Sequence, residues 1–340
     1  MSMPRIAIQT PLYRSSQYLP MLLKGLKEQA FLDWTFYAVE NSGDVNEQAR
    51  VKALLEQSGI AYEFFVSETN LGFADGHNFL MQKHTAEFIL LLNEDAYLGA
   101  EHLARCVSRF EADANCAAVA GAVYRWGVPV NQAEILTEDT FVDTLALHYN
   151  CLAHVVDVCA GVPKRDAADF LREAKRVWGV SGAVSMFRRS YIEAASPERL
   201  MFYPHFFMYK EDVDLAIRLF RRGYTTWFDP EIVSFHRRSI KAPKGIRARI
   251  EDERKRPAHL RRAMYRNQWR IYVSHLSFAL GARDLVRSLV HECVHSVFVF
   301  VVSPTVFFGA WKEIFADWSS AWKRRAALEY LGLKHIQLLV

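Results

Sequence analysis

Cysteine is scarce in this 340-residue chain, and nothing pairs it. Cys106, Cys116, Cys151, Cys159 and Cys293 are scattered, and no CxxC occurs. That excludes a zinc ribbon and a small disulfide scaffold, and it fits a reducing compartment. The opening MSMPRIAIQT lacks a basic head followed by an apolar run, so no secretory signal is expected. The expected location is cytoplasmic. No GxGxxG fingerprint and no GK[ST] loop are present, which removes the dinucleotide and P-loop readings. Ser181 and Ser185 lack a nucleophile elbow, so a serine hydrolase has little support. The eleven histidines other than His236 are read as carrying no metal-ligating spacing. Internal repeats and low-complexity segments are missing too.

What is present is apolar and unevenly charged. Hydrophobic residues make up 51% and charged residues 24%, enough to bury a sizeable core and too much for a disordered chain. Length alone suggests about two domains. The net charge of +4 hides a basic block: residues 237–270 hold 13 Lys and Arg against 3 Asp and Glu. Such a block suits phosphates, whether of nucleic acid, anionic lipid or a phosphorylated substrate, or it is a solvated linker.

Strand and helix patterns alternate along the first hundred residues. Strands are expected at 6–8, 36–39, 61–66 and 88–92, with helices at 16–31 and 45–57. This alternation predicts a doubly wound, mostly parallel α/β sheet with helices on both faces. Ligands of such sheets bind beyond the carboxyl ends of the strands. Polar runs fall there, at 9–14, 40–44, 67–78 and 93–95. Residues 125–176 read as an irregular insert, 180–187 as a strand, 188–195 as a short helix, and 225–236 as strand, turn, strand. A helix over 211–222 is stopped by Gly223.

Past residue 240 the character changes, and 241–340 is expected to be a basic linker and a C-terminal helical region. Cys293 to Trp311 runs nineteen residues without Asp, Glu, Lys or Arg. Pro304 should break it as a helix. Trp311, Phe315, Trp318 and Trp322 follow beside Lys323-Arg324-Arg325. This pattern fits an interfacial amphipathic helix on an anionic membrane, a helical hairpin packed on the protein, or a span.

Two runs carry chemistry. Asn93-Glu94-Asp95 follows the apolar strand Ile89-Leu90-Leu91-Leu92, where a carboxylate can hold Mg²⁺ or Mn²⁺ together with phosphate oxygens. Glu211, Asp212 and Asp214 open a helix. The helix dipole favours their ionised forms by ~0.3–1 kcal/mol each, and mutual repulsion should raise at least one pKa. His236 ends an apolar strand, and a neutral imidazole there suits Mn²⁺.

The ordered set of runs resembles the family-2 glycosyltransferases of the GT-A fold, especially the bacterial rhamnosyltransferase-like branch, over residues 4–240. The resemblance rests on Thr10-Pro11-Leu12-Tyr13, Glu40-Asn41-Ser42, Asn70-Leu71-Gly72-Phe73 to Asn78, and Leu92-Asn93-Glu94-Asp95. Gly182-Ala183 with Arg188-Arg189, Glu211-Asp212-Val213-Asp214, and Phe235-His236 complete it. It implies an inverting transfer from a nucleotide diphosphate sugar, dTDP- or UDP-linked, to a hydroxyl of a glycan or lipid-linked acceptor. The setting it implies is surface polysaccharide synthesis at the cell envelope, peripheral on the inner membrane face. Asp95, with Asn93 and His236, would hold Mn²⁺ or Mg²⁺. Asp212, beside Glu211, would be the base. Thr10, Pro11, Tyr13, Glu40, Asn41, Asn70, Gly72, Phe73, Asn78 and Glu94 would border the donor. Gly182, Ala183, Asp214, Arg237 and Arg238 would border the sugar and acceptor. Two positions depart from the family pattern: Asn93 stands where the first metal-motif aspartate is usual, and Glu40 where the nucleobase-side acid is usually Asp. A catalytically silent GT-A-like module, binding a polyanionic or envelope partner through 237–270, is the alternative. The absence of RRM, KH or OB signatures argues against nucleic acid. A nucleotidyltransferase is disfavoured because QTPLYRSSQ lacks a glycine-rich basic loop.

Overall fold

The structure, a computed structural model, describes residues 4–126, 136–149, 154–237, 250–251, 254–275 and 282–330. The elements run β1 (Ile6–Leu12), α1 (Leu19–Lys27), β2 (Trp34–Glu40), α2 (Val45–Ser58), β3 (Tyr62–Val66), α3 (Gly72–Met81), β4 (Phe88–Leu92), β5 (Ala96–Leu98) and α4 (His102–Ala112). Next come β6 (Cys116–Arg125), β7 (Val142–Thr144), β8 (Leu147–Tyr149), β9 (Val155–Asp157), β10 (Lys175–Arg176), β11 (Val184–Arg188), α5 (Arg189–Ala194), α6 (Glu211–Arg221) and β12 (Thr225–His236). Three helices close the described chain: α7 (Ala258–His275), α8 (Ala282–Val302) and α9 (Pro304–Tyr330).

The main sheet has the order β10-β12-β6-β11-β4-β1-β2-β3. β3, β2, β1 and β4 pair in parallel. β11 enters antiparallel between β4 and β6, and β12 runs parallel to β6. Hence β4, β6 and β12 end at one edge of the sheet. Every side chain of β4 is buried, because alternate residues enter two different cores. Phe88, Leu90 and Leu92 pack with α1, α2 and α4, while Ile89 and Leu91 pack towards α6 and α7. A continuous apolar strand is what two covered faces require.

Local chemistry sets the boundaries. Asp44 caps α2, accepting from the amides of Asn46 and Glu47 at 2.9 and 3.3 Å, an interaction worth about 1 kcal/mol. β1 extends past the expected residue 8 and includes Pro11. Its β4 ladder ends at Gln9, so the missing N–H of Pro11 leaves no ladder bond unmade. The expected loop at 67–78 is loop only as far as Leu71; α3 takes the rest. Gly76 lies inside this helix, where a Cβ would sit 2.9 Å from Pro11.

β12 is one strand rather than two. Its register to β6 shifts between Asp229 and Val233, and Pro230 falls inside that irregularity. A Cβ at Gly121 would overlap the carbonyl of Ile232, so glycine makes room for the bulge. In the insert, residues 127–135 and 150–153 lie outside the described residues. The remainder forms β7 to β10 with two short 3₁₀ turns.

At the C-terminus the helix breaks at Ser303. Pro304 takes the first position of α9, where a missing N–H costs nothing. Leu285–Val302 is long and apolar enough to cross a membrane by length and composition alone, with mean hydropathy 1.6. Yet Ser288 and Glu292 on α8 are buried against the protein, while Val286, Val290, Val294, Val297 and Val301 face outward. Tyr265 on α7 packs with Val299, Val306 and Ala310. α8 and α9 therefore form a hairpin packed on α7 that leaves an apolar stripe outside.

Most of the basic block, including Lys241 and Lys244, lies outside the described residues. Several of its described arginines face inward instead of out to phosphate. Arg262 and Arg266 pair with Glu313 at 3.2 and 2.5 Å, and Arg270 with Asp317 at 2.9 Å.

Candidate active site

Two clefts open along the carboxyl edge of the sheet. The first, about 540 Å³, is lined by Pro11, Tyr13, Asn41, Asn70, Gly72, Phe73, Asn93, Glu94, Asp95 and His236. Phe207, Met208, Pro257, His259 and Leu260 close its far side. The second, about 430 Å³, is lined by Ser181, Gly182, Ala183, Lys210, Glu211, Asp212, Asp143 and Asp157, among others. Phe73, Asn93, Met208 and His236 belong to both, so the clefts meet there.

The junction is built from strand ends. Asn93 follows β4, and its amide N–H donates to the carbonyl of Ala183 at 2.9 Å. His236 ends β12, which pairs antiparallel with β5 and puts His236 opposite Ala96. His236 Nε2 lies 3.0 Å from Asp95 Oδ1 and 3.1 Å from Asn93 Nδ2. On its other side, Nδ1 lies 2.8 Å from Asp143 Oδ2. Burial opposes the charged ring, but the hydrogen bonds to Asp143 and Asp95 outweigh it and raise the His236 pKa to about 9. The ring is therefore charged here and not neutral as expected; after loss of its Nε2 proton, His236 with the Asp95 carboxylate would offer an O/N donor pair of the kind that suits Mn²⁺, with the Asn93 amide beside them. Asp143 would orient the ring from behind. Sequence reading missed Asp143, because it comes from β7 in the irregular insert and carries no local motif.

The donor side is mixed. Tyr13 N–H donates to Glu94 Oε2 at 3.0 Å, and burial raises the Glu94 pKa to about 7. Asn41 and Glu40 are buried, each with one side-chain oxygen, Oδ1 and Oε2, accepting no hydrogen bond. Such orphan acceptors are costly unless a ligand donates to them. Asn70 Oδ1 accepts from Gly72 N–H at 2.8 Å; Gly72 has φ +68, and a Cβ there would also meet Phe207 at 2.5 Å.

The base side sits at the start of α6. Asp212 is held from both oxygens: Gly182 N–H donates to Oδ2 at 3.2 Å and Val213 N–H to Oδ1 at 2.8 Å. At least one raised pKa is expected in this acidic run, and two are raised, with burial the larger cause. Burial raises the pKa of both Asp212 and Glu211; Asp157 adds like charge to Asp212, and Asp212 to Glu211. The preceding loop is strained: His205, Phe207, Tyr209 and Lys210 all have positive φ. Arg266, Asn267 and Arg270 of α7 donate to its carbonyls. None of these α7 residues was singled out from the sequence, since a carbonyl clamp leaves no motif.

Several expected site residues stand elsewhere. Asp214 is fully buried away from both clefts. It accepts from Arg218 Nε at 2.8 Å and from both terminal nitrogens of Arg324 at 2.8 and 3.0 Å, and it meets His275 Nε2 at 2.8 Å. No oxygen is left over for an acceptor sugar. Asn78 bonds the backbone of Phe202 in both directions, at 2.9 and 3.0 Å, and so ties α3 to the loop ahead of α6. Thr10 is buried and its hydroxyl donates to the Leu92 carbonyl at 2.8 Å. Glu40 lies beneath the first cleft rather than in its wall. Arg237 stacks over Tyr18 on the far side of Asp95, and Arg238 lies outside the described residues.

A mixed, mostly parallel sheet with two clefts along its carboxyl edge has the architecture of the GT-A fold. Residues 8–195 match the sequence profile of Glycosyl transferase family 2, and the chain belongs to that family. No curated protein matches it in sequence. Its fold is similar to that of GalNAc-T7, solved with UDP, GalNAc and Mn²⁺, with TM-score 0.56 and 10% identity over 81% of this chain and 48% of that one. It is also similar to the mannosyltransferase PcManGT from Pyrobaculum calidifontis, solved with GDP-Man and Mn²⁺. There the TM-score is 0.51 and the identity 15%, over 98% of this chain and 88% of that one. The chain thus spans about half the length of the GalNAc-T7 chain.

Proposed function

We propose that the protein is an inverting, divalent-metal-dependent glycosyltransferase. It would move a sugar from a nucleotide diphosphate donor to a hydroxyl of a glycan or lipid-linked acceptor in surface polysaccharide synthesis. One observation carries this reading. Asp95 and Asp212 line separate clefts that meet at Asn93 and His236, so a donor phosphate and an acceptor hydroxyl can approach one point from opposite sides.

In this reading Asp95, Asn93 and His236 would hold Mn²⁺ or Mg²⁺, which would supply positive charge beside the leaving diphosphate. Asn41 offers its orphan oxygen to a donor on the nucleobase or ribose, with Pro11, Tyr13, Asn70, Gly72, Phe73 and Glu94 around it and Glu40 behind the wall. Gly182 and Ala183 border the sugar. The Gly182 and Val213 amides aim the Asp212 carboxylate. It takes the proton of the acceptor hydroxyl while that oxygen bonds the anomeric carbon and the diphosphate leaves with its electron pair. A single displacement of this kind inverts configuration. The raised pKa of Asp212 brings it nearer the range in which a general base works well.

A dTDP- or UDP-linked donor, and membership of the rhamnosyltransferase-like branch, rest on the ordered motifs. We read 1–240 as the catalytic domain and 241–340 as a helical appendage. The valine stripe of α8, with Trp318 and Trp322 beside Lys323, favours contact with an anionic membrane from the cytoplasmic side. The inward pairing of the described arginines of α7 counts against a silent polyanion-binding module. The reading is tested by incubating a panel of nucleotide sugars with Mn²⁺ and following the anomeric proton by NMR. An inverted product with the native chain and none with Asp212→Asn is expected. Retained configuration, or full turnover by Asp212→Asn, would overturn it.

A further inference from the structure

His291-Glu292-Cys293-Val294-His295 reads HExxH. On a helix this spacing sets two imidazoles one turn apart on one face. The reading of the histidines as unclustered therefore fails on α8. A third imidazole comes from elsewhere in the chain: His154, just ahead of β9, places Nε2 2.5 Å from Glu292 Oε1 and its ring 4.3 Å from that of His291. One donor atom from each of His154, His291 and Glu292 lies within 4.8 Å of the others. His295 Nδ1 is 3.7 Å from Glu292 Oε2. The Glu292 side chain has no exposure. Its Oε2 accepts no hydrogen bond, and neither His291 Nδ1 nor His295 Nδ1 has a hydrogen-bond partner. A buried carboxylate oxygen left this way is costly unless a cation meets it.

We propose that His154, His291 and Glu292, completed by His295, bind one zinc-type cation at a site separate from the donor corner. An imidazole-rich set with a single carboxylate selects Zn²⁺ or Co²⁺ over Mg²⁺ or Ca²⁺. In hydrolases that carry HExxH the glutamate stands free as a base. Here Glu292 is inside the donor set, and four protein ligands leave no open position, which marks a structural site. Its effect would be to pin α8 to β9, whose Asp157 lines the second cleft.

The test is titration of the full-length, metal-stripped protein with Co²⁺ alone, read by visible absorption. The expected result is one Co²⁺ with the intense bands of a four-coordinate site, present in native protein and in Asp95→Ala. The bands should be lost in both His154→Ala and His291→Ala, whose circular dichroism matches native. Zn²⁺ should raise the melting temperature of native protein and of Asp95→Ala, but of neither histidine variant. Two results would overturn the proposal: no bands in the native protein, or bands that vanish in Asp95→Ala and survive in His291→Ala.

Discussion

The side-chain amide of Asn267 on α7 donates to the carbonyl of Tyr209 at 2.8 Å. The same nitrogen lies 2.9 and 3.0 Å from the carbonyls of Phe206 and Met208. One buried side chain therefore fastens a loop in which four non-glycine residues hold positive φ. Each such residue costs of order 1–3 kcal/mol and persists only where its surroundings fix it. The loop ends at Glu211 and Asp212, so the C-terminal helices set the position of the proposed base.

Asn267→Ala should accordingly lose turnover by about tenfold or more, with nucleotide affinity nearly unchanged. The Met208 and Tyr209 carbonyls lose this donor, while Phe206 keeps Arg266, and stability should fall by about 1–3 kcal/mol. Steady-state kinetics beside calorimetric nucleotide binding checks this. A variant that loses donor affinity and turnover together would place Asn267 in the donor site instead.

Asp143→Asn should weaken the cation dependence of nucleotide binding by about 10–100-fold, the range found when a partner behind a ligating histidine is removed. Asp143 faces His236 Nδ1, so the change acts through ring orientation. The Mn²⁺ concentration needed for half-maximal nucleotide binding is the readout. No change in it would mean that His236 is not a ligand.

The acid limb of turnover should lie above the ordinary carboxylate range, because burial, with added like charge from Asp157, raises the Asp212 pKa. The base works only when deprotonated, so activity falls as pH drops through that raised value. Asp157→Asn removes one of the raising charges and should move the limb to lower pH. A pH–rate profile of both proteins, taken at saturating donor, decides the point.

Asp214→Ala should be among the most destabilising single changes. It strands Arg218 and Arg324 in the interior without their carboxylate, a loss of about 3–5 kcal/mol. The buried pair of arginines holds the Asp214 pKa well below the usual range. Its contribution is therefore present above the unfolded-state pKa and is lost as pH falls. Denaturant titrations from neutral to acid pH should show native stability declining more steeply than that of the variant.

Periodicity revealed β1 to β4, since each carries its own apolar run, but neither the three-residue β5 nor the central strand β6. β4 was legible to the residue because both its faces are covered. The α3 boundary was not: glycine and asparagine in 72–78 suggest a loop, and the helix forms because Gly72 and Gly76 admit Phe207 and Pro11 at close range. Asp95 and Asp212 could be found because they sit at element ends beside distinctive runs. Asp143 and Asp157 reach the second cleft from the insert, and Asn267 holds the loop ahead of α6 from a C-terminal helix, where no local pattern marks them. Asp214 misled for the opposite reason. It shares the acidic run of Glu211 and Asp212, but two helical positions beyond Asp212 the side chain points into the protein.

The first cleft should bind a nucleotide diphosphate through a cation held at Asp95. Calorimetric titration with UDP, dTDP, GDP and CDP, each with and without Mn²⁺, tests it most directly. One of them should bind, only with the cation, and that binding should disappear in Asp95→Ala. Binding that is indifferent to the cation, or no binding by protein shown to be folded, would contradict it.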